Sequence, residues 1–404
     1  LGLEKEVVAI AAAHLNGGED AVGSFTSGGT ESIMLAVKTA RDRARELRPE
    51  VTAPEMIVPV TAHAAFFKAA HYLGLKPVVV GVTPDFRADV GAVRAAVTDN
   101  TVMLVASAPS YAHGVVDPVA EIGELALERG LFFHVDGCMG GFILPYFRRL
   151  GAAVPAFDFS VPGVCSISMD FHKYAFAPKG ASVVVYRDRA LRFHQVFACA
   201  EWAGYPLVNP TVQSSRSGGA LAATWAVLHY LGDGGYLKEA EKLKRATDEA
   251  LAGVSKIAGL QVLGRPVMSL IAFTSKTINL FQLADELRRR GWYHQVQLQR
   301  GAIPASLHLT IVPPNTGRIG EWLADLKEGA AAAGPWEEGA LAREVKKNLA
   351  GRDTVSDAEL ALLMQAGGIG GGKLPTGMAE INEVLNILPP AIAGRLMRAC
   401  FNRL

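Results

Sequence analysis

Between residues 20 and 190, short runs of β-branched and aromatic residues alternate with longer stretches in which apolar side chains recur every three or four positions. The runs "EMIVPV", "PVVVGV", "VMLVASA", "LFFHVDG", "VCSISMD" and "ASVVVY" are short and rich in β-forming residues, as strands of a buried sheet are. Between them, "ESIMLAVKTARDRARE" and "PVAEIGELALERG" carry the helical period, with charges opposite the apolar stripe. This alternation predicts a mostly parallel α/β sheet covered on both faces. From about 236 to about 330 the pattern changes. There "GGYLKEAEKLKRATDEALAGV" and "NLFQLADELRRRGW" read as helices, and "LQVLG", "SLIAFTS" and "SLHLTIV" as strands of a smaller α+β unit. Beyond about 335 come polar helix, the glycine tract "AGGIGGGKLPTG" read as a flexible joint, and a closing helix "MAEINEVLNIL" stopped by "PP". The expected division is therefore a large α/β domain with an N-terminal helix (1–235), a small C-terminal α+β domain (236–345) and a helical tail with the glycine-rich joint (346–404).

Composition narrows the class of partner. At 404 residues the chain is long enough to bury a large core without staples. A formal net charge of +1 gives no bulk field to recruit nucleic acid or an anionic membrane. The four cysteines, Cys138, Cys165, Cys199 and Cys400, show neither C-x-x-C nor zinc-ligand spacing, so they read as reduced thiols and no metal is expected. No apolar run approaches the roughly 20 residues of a membrane span. The start "LGLEKEVVAI" lacks the features of a signal peptide, and a soluble cytoplasmic protein is expected.

In an open α/β sheet, ligands bind beyond the carboxyl ends of the strands. Polar residues recur at those stops: Gly28, Gly29 and Thr30, then His63, Tyr111, Asp136, and finally His172 with Lys173. "TSGGTES" puts two glycines and a threonine before an apolar-periodic helix. That suits a phosphate at the helix N-terminus, or an ordinary capped turn. No G-K-[ST] follows, which disfavours a nucleotide P-loop. Asp136 closes an apolar strand, where a carboxylate needs a cation or several donors. A protonated pyridine nitrogen would serve, as would a structural hydrogen-bond role. His63 has the choice of a flat aromatic ligand or a helix cap. Lys173, between His172 and Tyr174, must snorkel to solvent or lose its charge and become a nucleophilic amine. Such an amine condenses with an aldehyde. Pyridoxal phosphate combines an aldehyde with a phosphate, a pyridine nitrogen and a flat ring, and the strand stops together offer a partner for each.

With these residues in place, the chain resembles the pyridoxal-phosphate enzymes of the aspartate-aminotransferase fold (fold type I). Within them it is similar to the decarboxylase-like branch, through "H-V-D" and "S-x-x-x-D-x-H-K". A finer likeness is to the sphingosine-1-phosphate lyases. It rests on "FTSGGTESIMLAVKTARD", "TAHAAFFKAA", "HGVVDPV", "HVDGCMGGFILPYF", "FDFSVPGVCSISMDFHKYAFAPKGASVVVYRD" and "SSRSGG", and runs from about 1 to about 330. The resemblance implies that Lys173 holds the cofactor covalently, that Asp136 pairs with the pyridine nitrogen and that His63 stacks on the ring. It further implies that Gly29, Thr30 and His172 hold the phosphate, helped by Ser215 from a second subunit, in a homodimer with a shared active site. Tyr111 is implied as a catalytic or positioning hydroxyl and Lys179 as a charge near the substrate phosphate; Arg216 receives no role. The implied reaction cleaves C2–C3 of a phosphorylated sphingoid base to a long-chain aldehyde and phosphoethanolamine. An amino-acid decarboxylase of the same branch is the alternative, and a non-catalytic dimeric scaffold is a third reading. The lyases carry a membrane anchor and an amino-terminal arm ahead of the region resembling position 1, so a bacterial-type soluble enzyme, or a chain beginning after such an arm, is expected.

Overall fold

A computed structural model describes residues 2–349, 352–366 and 377–402. The body of the glycine tract, 367–376, lies outside the described residues. The apolar runs become strands of a seven-stranded sheet: β1 (Val22–Thr26), β2 (Glu55–Pro59), β3 (Lys76–Val80), β4 (Thr101–Ser107), β5 (Phe132–Asp136), β6 (Ser166–Asp170) and β7 (Ser182–Tyr186). Their order is β1-β7-β6-β5-β4-β2-β3. The run from β6 to β3 is parallel, while β7 lies antiparallel to both β6 and β1. All residues of β2, β4, β5, β6 and β7 are buried, so most of them are apolar, and the polar ones on β5 and β6, His134, Asp136, Ser166, Ser168 and Asp170, are buried as well.

The register brings the strand ends into rows. Ser107, Asp136 and Ser168 are successive partners across β4, β5 and β6. Asp170, Ser182 and Thr26 are successive partners across β6, β7 and β1. Side chains that are far apart in sequence thus meet at one edge of the sheet.

The first helices are α1 (Gly2–His14), α2 (Gly29–Leu47), α3 (Ala64–Leu73), α4 (Val90–Ala96), α5 (Val119–Arg129), α6 (Leu144–Arg149) and α7 (Arg189–Phe193). Ile33, Val37 and Ala40 of α2 pack with Phe66 and Ala69 of α3 against the sheet, in a core that includes Met56, Val58, Met103 and Phe132. Helix α3 is closed by Gly74 at φ 73° and α5 by Gly130 at φ 61°, left-handed caps that glycine adopts without a Cβ penalty. A short antiparallel ribbon, β8 (Phe197–Cys199) and β9 (Leu207–Asn209), precedes α8 (Gly218–Val254), which is two helical pieces meeting at Gly232 with φ 57°.

The described chain divides into two compact units. One comprises 1–247, 264–270 and 311–316; the other comprises 248–263, 271–310 and 317–404. The second has a four-stranded sheet in the order β10-β11-β13-β12, from β10 (Leu260–Val262), β11 (Leu270–Ser275), β12 (Gln295–Gln297) and β13 (Ser306–Thr310). Its helices are α9 (Leu280–Arg289), α10 (Ile319–Ala332), α11 (Ala340–Asn348), α12 (Asp357–Ala366), α13 (Ala379–Ile387) and α14 (Pro390–Phe401). The "PP" that stops α13 does not end the helical tail. Pro390 opens α14, where a missing N–H costs nothing.

Candidate functional site

The carboxyl ends of β1, β4, β5 and β6 and the start of α3 border one cleft of about 450 Å³, a size suited to a small cofactor. Gly28, Gly29, Thr30, His63, Tyr111, Asp136, His172 and Lys173 all line it. Ser215 and Lys179 do not: Ser215 lies in the exposed segment before α8, and Lys179 is exposed in the turn ahead of β7.

The turn from β1 into α2 is held by a carboxylate that the sequence reading passed over. Glu31 is buried, and its Oε2 accepts from both the backbone N–H and the hydroxyl of Ser27 at 2.7 Å. Its Oε1 accepts from the Val212 N–H at 2.9 Å. Gly29 has no room for a side chain, since a Cβ there would lie 2.7 Å from Cys138 Sγ and 2.8 Å from Asp170 Oδ2. The first N–H groups of α2, without partners within the helix, are therefore approachable from the cleft, as an anion site requires.

His63 serves as a cap while it lines the cleft. Its Nδ1 accepts from the Ala65 N–H at 3.1 Å and starts α3, while the exposed ring borders the cleft. Tyr111 stands at the cleft wall, 36% exposed.

Behind Asp136 runs a buried polar chain. Oδ1 accepts from the Cys138 N–H at 3.0 Å and from the Ser168 hydroxyl at 3.3 Å, leaving Oδ2 to meet a ligand. His134 lies 2.8 Å from Ser166 Oγ through Nδ1 and 3.2 Å from Ser168 Oγ through Nε2. Because the Ser168 proton goes to Asp136, the consistent arrangement has His134 Nε2–H donating to Ser168 and Nδ1 accepting from Ser166. Burial, only partly opposed by Asp136, pulls the His134 pKa down to about 4 and keeps the ring neutral.

Lys173 takes a path the sequence reading did not foresee. It neither snorkels nor loses its charge, because its Nζ lies 2.8 Å from Oδ2 of the buried Asp170. Burial alone would lower its pKa, but Cys138, Asp170 and Asp136 act in the opposite sense and the net shift is upward. The Cys138 thiol is itself driven well above the ordinary thiol range by burial and so is neutral. Asp170 is the anion that matters. The other Asp170 oxygen accepts from the Ser182 hydroxyl at 2.6 Å; Ser182 continues to Ser32 at 2.9 Å and Ser32 to Thr26 at 2.7 Å.

His172 accepts from the Ala181 N–H through Nδ1 at 3.2 Å, which leaves Nε2 to carry the proton, 3.6 Å from Asp170. Burial lowers its pKa; Asp170 opposes, and Lys173 and Lys179 reinforce the lowering. Arg216 faces away from any substrate role in its own chain: both its Nη atoms bind Glu4, at 2.7 and 2.8 Å, and Nη1 also donates to the Phe25 carbonyl. Asp170, Glu31 and Cys138 are among the cleft residues to which sequence reasoning gave no role. Only Asp170 left a signal, as the carboxylate three residues ahead of Lys173.

The groups present fit pyridoxal phosphate: an amine, a carboxylate with one uncommitted oxygen, an exposed imidazole face and a helix N-terminus too tight for a Cβ. Comparisons with known proteins agree. Residues 5–276 match the family described as "Pyridoxal-dependent decarboxylase conserved domain", and residues 338–403 match "Pyridoxal-dependent enzyme, C-terminal putative HTH domain". The chain is 46% identical over 330 residues to a sphingosine-1-phosphate lyase of Arabidopsis thaliana, covering 80% of this chain and 60% of that protein. It is 34% identical to an L-aspartate/L-glutamate decarboxylase of Pyrococcus horikoshii, covering 81% of this chain and 82% of that one. A solved sphingosine-1-phosphate lyase of Burkholderia pseudomallei superposes with a TM-score of 0.78 at 40% identity, over 82% of this chain and 77% of its own. No helix among the described residues is long and apolar enough to cross a membrane. The chain belongs to the pyridoxal-dependent decarboxylase family, whose cofactor is pyridoxal phosphate.

Proposed function

We propose that this chain is an aldehyde-lyase that cleaves C2–C3 of a phosphorylated sphingoid base, giving a long-chain aldehyde and phosphoethanolamine. The observation that carries the reading is the 46% identity to a sphingosine-1-phosphate lyase over 330 residues. The cleft supports the cofactor part of the reading, because Lys173, Asp136, His63 and the start of α2 border it together.

In this reading Lys173 is the amine that joins the cofactor aldehyde, Asp136 offers Oδ2 to the pyridine nitrogen, and the His63 ring covers the ring face. Gly29 and Thr30 present backbone N–H groups to the phosphate and His172 its Nε2–H. The partner copy contributes Ser215 of its own "SSRSGG" segment. Bound there, pyridoxal phosphate supplies the electron sink for the pair released as the carbon–carbon bond breaks. Tyr111 and Lys173 are the groups placed to move protons at the substrate, and Lys179 adds a positive charge toward its phosphate. A homodimer follows from the shared site. Its support is the apolar surface around the β8–β9 ribbon, where Phe197, Trp202, Tyr205, Val208 and Val212 are all more than half exposed. Residues 1–235 form the cofactor-binding domain, 236–345 the small domain and 346–404 the helical tail, in a cytoplasmic protein.

One observation favours a second reading, amino-acid decarboxylation: the Pyrococcus decarboxylase is covered over 82% of its length, more than the Arabidopsis lyase. One assay decides between them. The cofactor-loaded chain is incubated with a phosphorylated sphingoid base, and separately with aspartate and glutamate. Fatty aldehyde release, abolished by Lys173→Ala, is the expected result. Carbon dioxide release without aldehyde would assign the chain to the decarboxylases instead.

A further inference from the structure

The mechanism above uses Lys173 as a nucleophile, yet the structure holds that amine in an ion pair. Asp170 Oδ2 is 2.8 Å from Nζ, the carboxylate is buried, and its other oxygen is fixed by the Ser182 hydroxyl at 2.6 Å. The pair is set by the sheet, because Asp170 and Ser182 are register partners on β6 and β7. Asp170 also packs against Gly29, where a Cβ would come within 2.8 Å of its carboxylate, so one acid faces both the amine and the start of α2.

We propose that Asp170 is a positioning residue that holds Lys173 as an ammonium in the cofactor-free protein and sets the rate at which this lysine captures the cofactor. The proposal rests on Lys173 being the capturing amine. To react, Nζ must first shed one proton to solvent; its lone pair then forms the C–N bond to the aldehyde carbon, and the aldehyde oxygen leaves as water with the two remaining amine hydrogens. The carboxylate at 2.8 Å opposes the first of these events. The other groups around the amine are Asp136 and Cys138 from the end of β5, and His172 and Tyr174 beside it, with Lys179 acting on His172. None of them makes a hydrogen-bonded ion pair with Nζ; Asp170 alone does so among the described residues.

The test is capture itself, not turnover. Cofactor-free full-length chain is mixed with pyridoxal phosphate, and the growth of the visible absorbance of the lysine-bound cofactor is followed between about pH 6 and pH 9. For the wild type, the rate should climb about tenfold per pH unit while the ammonium dominates. Asp170→Asn should capture at least tenfold faster at pH 7 and level off at a lower pH. Ser182→Ala removes the hydroxyl that shares the Asp170 charge, and should slow capture. Equal pH profiles for wild type and Asp170→Asn would overturn the proposal, and so would faster capture by Ser182→Ala. If Asp170→Asn does not fold, Ser182→Ala alone decides. Failure of the underlying assignment looks different: capture by wild type would then persist in Lys173→Ala.

Discussion

Gly29 leaves no room for a side chain, and its size is what lets β6 and the end of β5 approach the start of α2. A methyl group there meets Cys138 Sγ at 2.7 Å and Asp170 Oδ2 at 2.8 Å, and both neighbours are buried. Gly29→Ala should therefore cost about 1–3 kcal/mol by overpacking and weaken pyridoxal phosphate binding at least tenfold, as read by equilibrium dialysis. Unchanged affinity would mean that the turn takes no part in holding the cofactor. His134 makes a prediction about pH. Its folded pKa of about 4 stands against an ordinary 6.5, so between those values the unfolded chain binds a proton that the folded chain refuses. Stability from this group is present above pH 6.5 and is lost as the pH falls toward 4, by about 2 kcal/mol at pH 5. Asp117 works in the opposite sense: burial raises its pKa to about 6, and protonation as the pH falls from about 6 favours the folded state. The histidine share is isolated by comparison with His134→Gln, whose urea-derived stability should fall less between pH 7 and pH 5, by about 2 kcal/mol.

At the scale of elements, Glu31 joins the β1–α2 turn to the segment that runs toward Ser215. Its carboxylate accepts three hydrogen bonds, two from Ser27 and one from Val212, a residue 181 positions away. Arg216 adds a second tie from the same segment to Glu4 and the Phe25 carbonyl. At about 1 kcal/mol for each of these part-buried bonds, Glu31→Ala should cost about 2–3 kcal/mol. It should also speed amide hydrogen exchange across residues 211–217, whereas Glu31→Gln, which keeps one acceptor, should lie between. If exchange there is unaffected, the segment is held by something other than Glu31. Such long-range ties explain what the sequence could and could not reveal. Strands β2, β4, β5 and β7 were legible because burial on both faces leaves a largely apolar run, and β6 because its residues continue the β-branched run that starts at Val164. In contrast, β1, "VGSFT", and β12, "QVQ", are short and partly polar, and owe their strand character to the neighbours they pair with. In the site, Lys173 and Asp136 stood out because a charged side chain is costly at the end of a buried strand, and Gly29 because a pair of glycines and a threonine precede an apolar-periodic helix. The ion pair that keeps Lys173 charged did not, since it depends on β6 ending with the Asp170 and Lys173 side chains turned toward each other.

At the scale of the whole molecule, the C-terminal helices present a fold whose family description includes a helix-turn-helix, and that motif is commonly associated with DNA. Within the second unit, α11 to α14 have their own apolar core, including Val345, Leu349, Leu360, Met364, Val384, Ile392 and Leu396. They are tied to α9 by Asp285, which accepts from the Met378 and Ala379 N–H groups at 3.0 Å, and to the α9 cap by the Asn279–Glu383 bond at 2.8 Å. The electrostatics do not match a nucleic-acid partner. Residues 338–403 carry eight Lys and Arg against seven Asp and Glu. Of the cations on α14, Arg395 is engaged by Asp357 and the Val355 carbonyl, and the exposed side of the helix shows Met397 and Phe401 beside Arg398. Phosphate neutralisation by several clustered cations supplies essentially all sequence-independent DNA affinity, and among the described residues α14 shows no such cluster. The cofactor-loaded chain should leave a duplex DNA probe unshifted at 50 mM salt, where electrostatic binding is at its strongest. A shift that weakens steeply between 50 and 200 mM salt would show that these helices assemble a basic face. Charge reversal of Arg398 would then have to reduce that shift if α14 were the helix responsible.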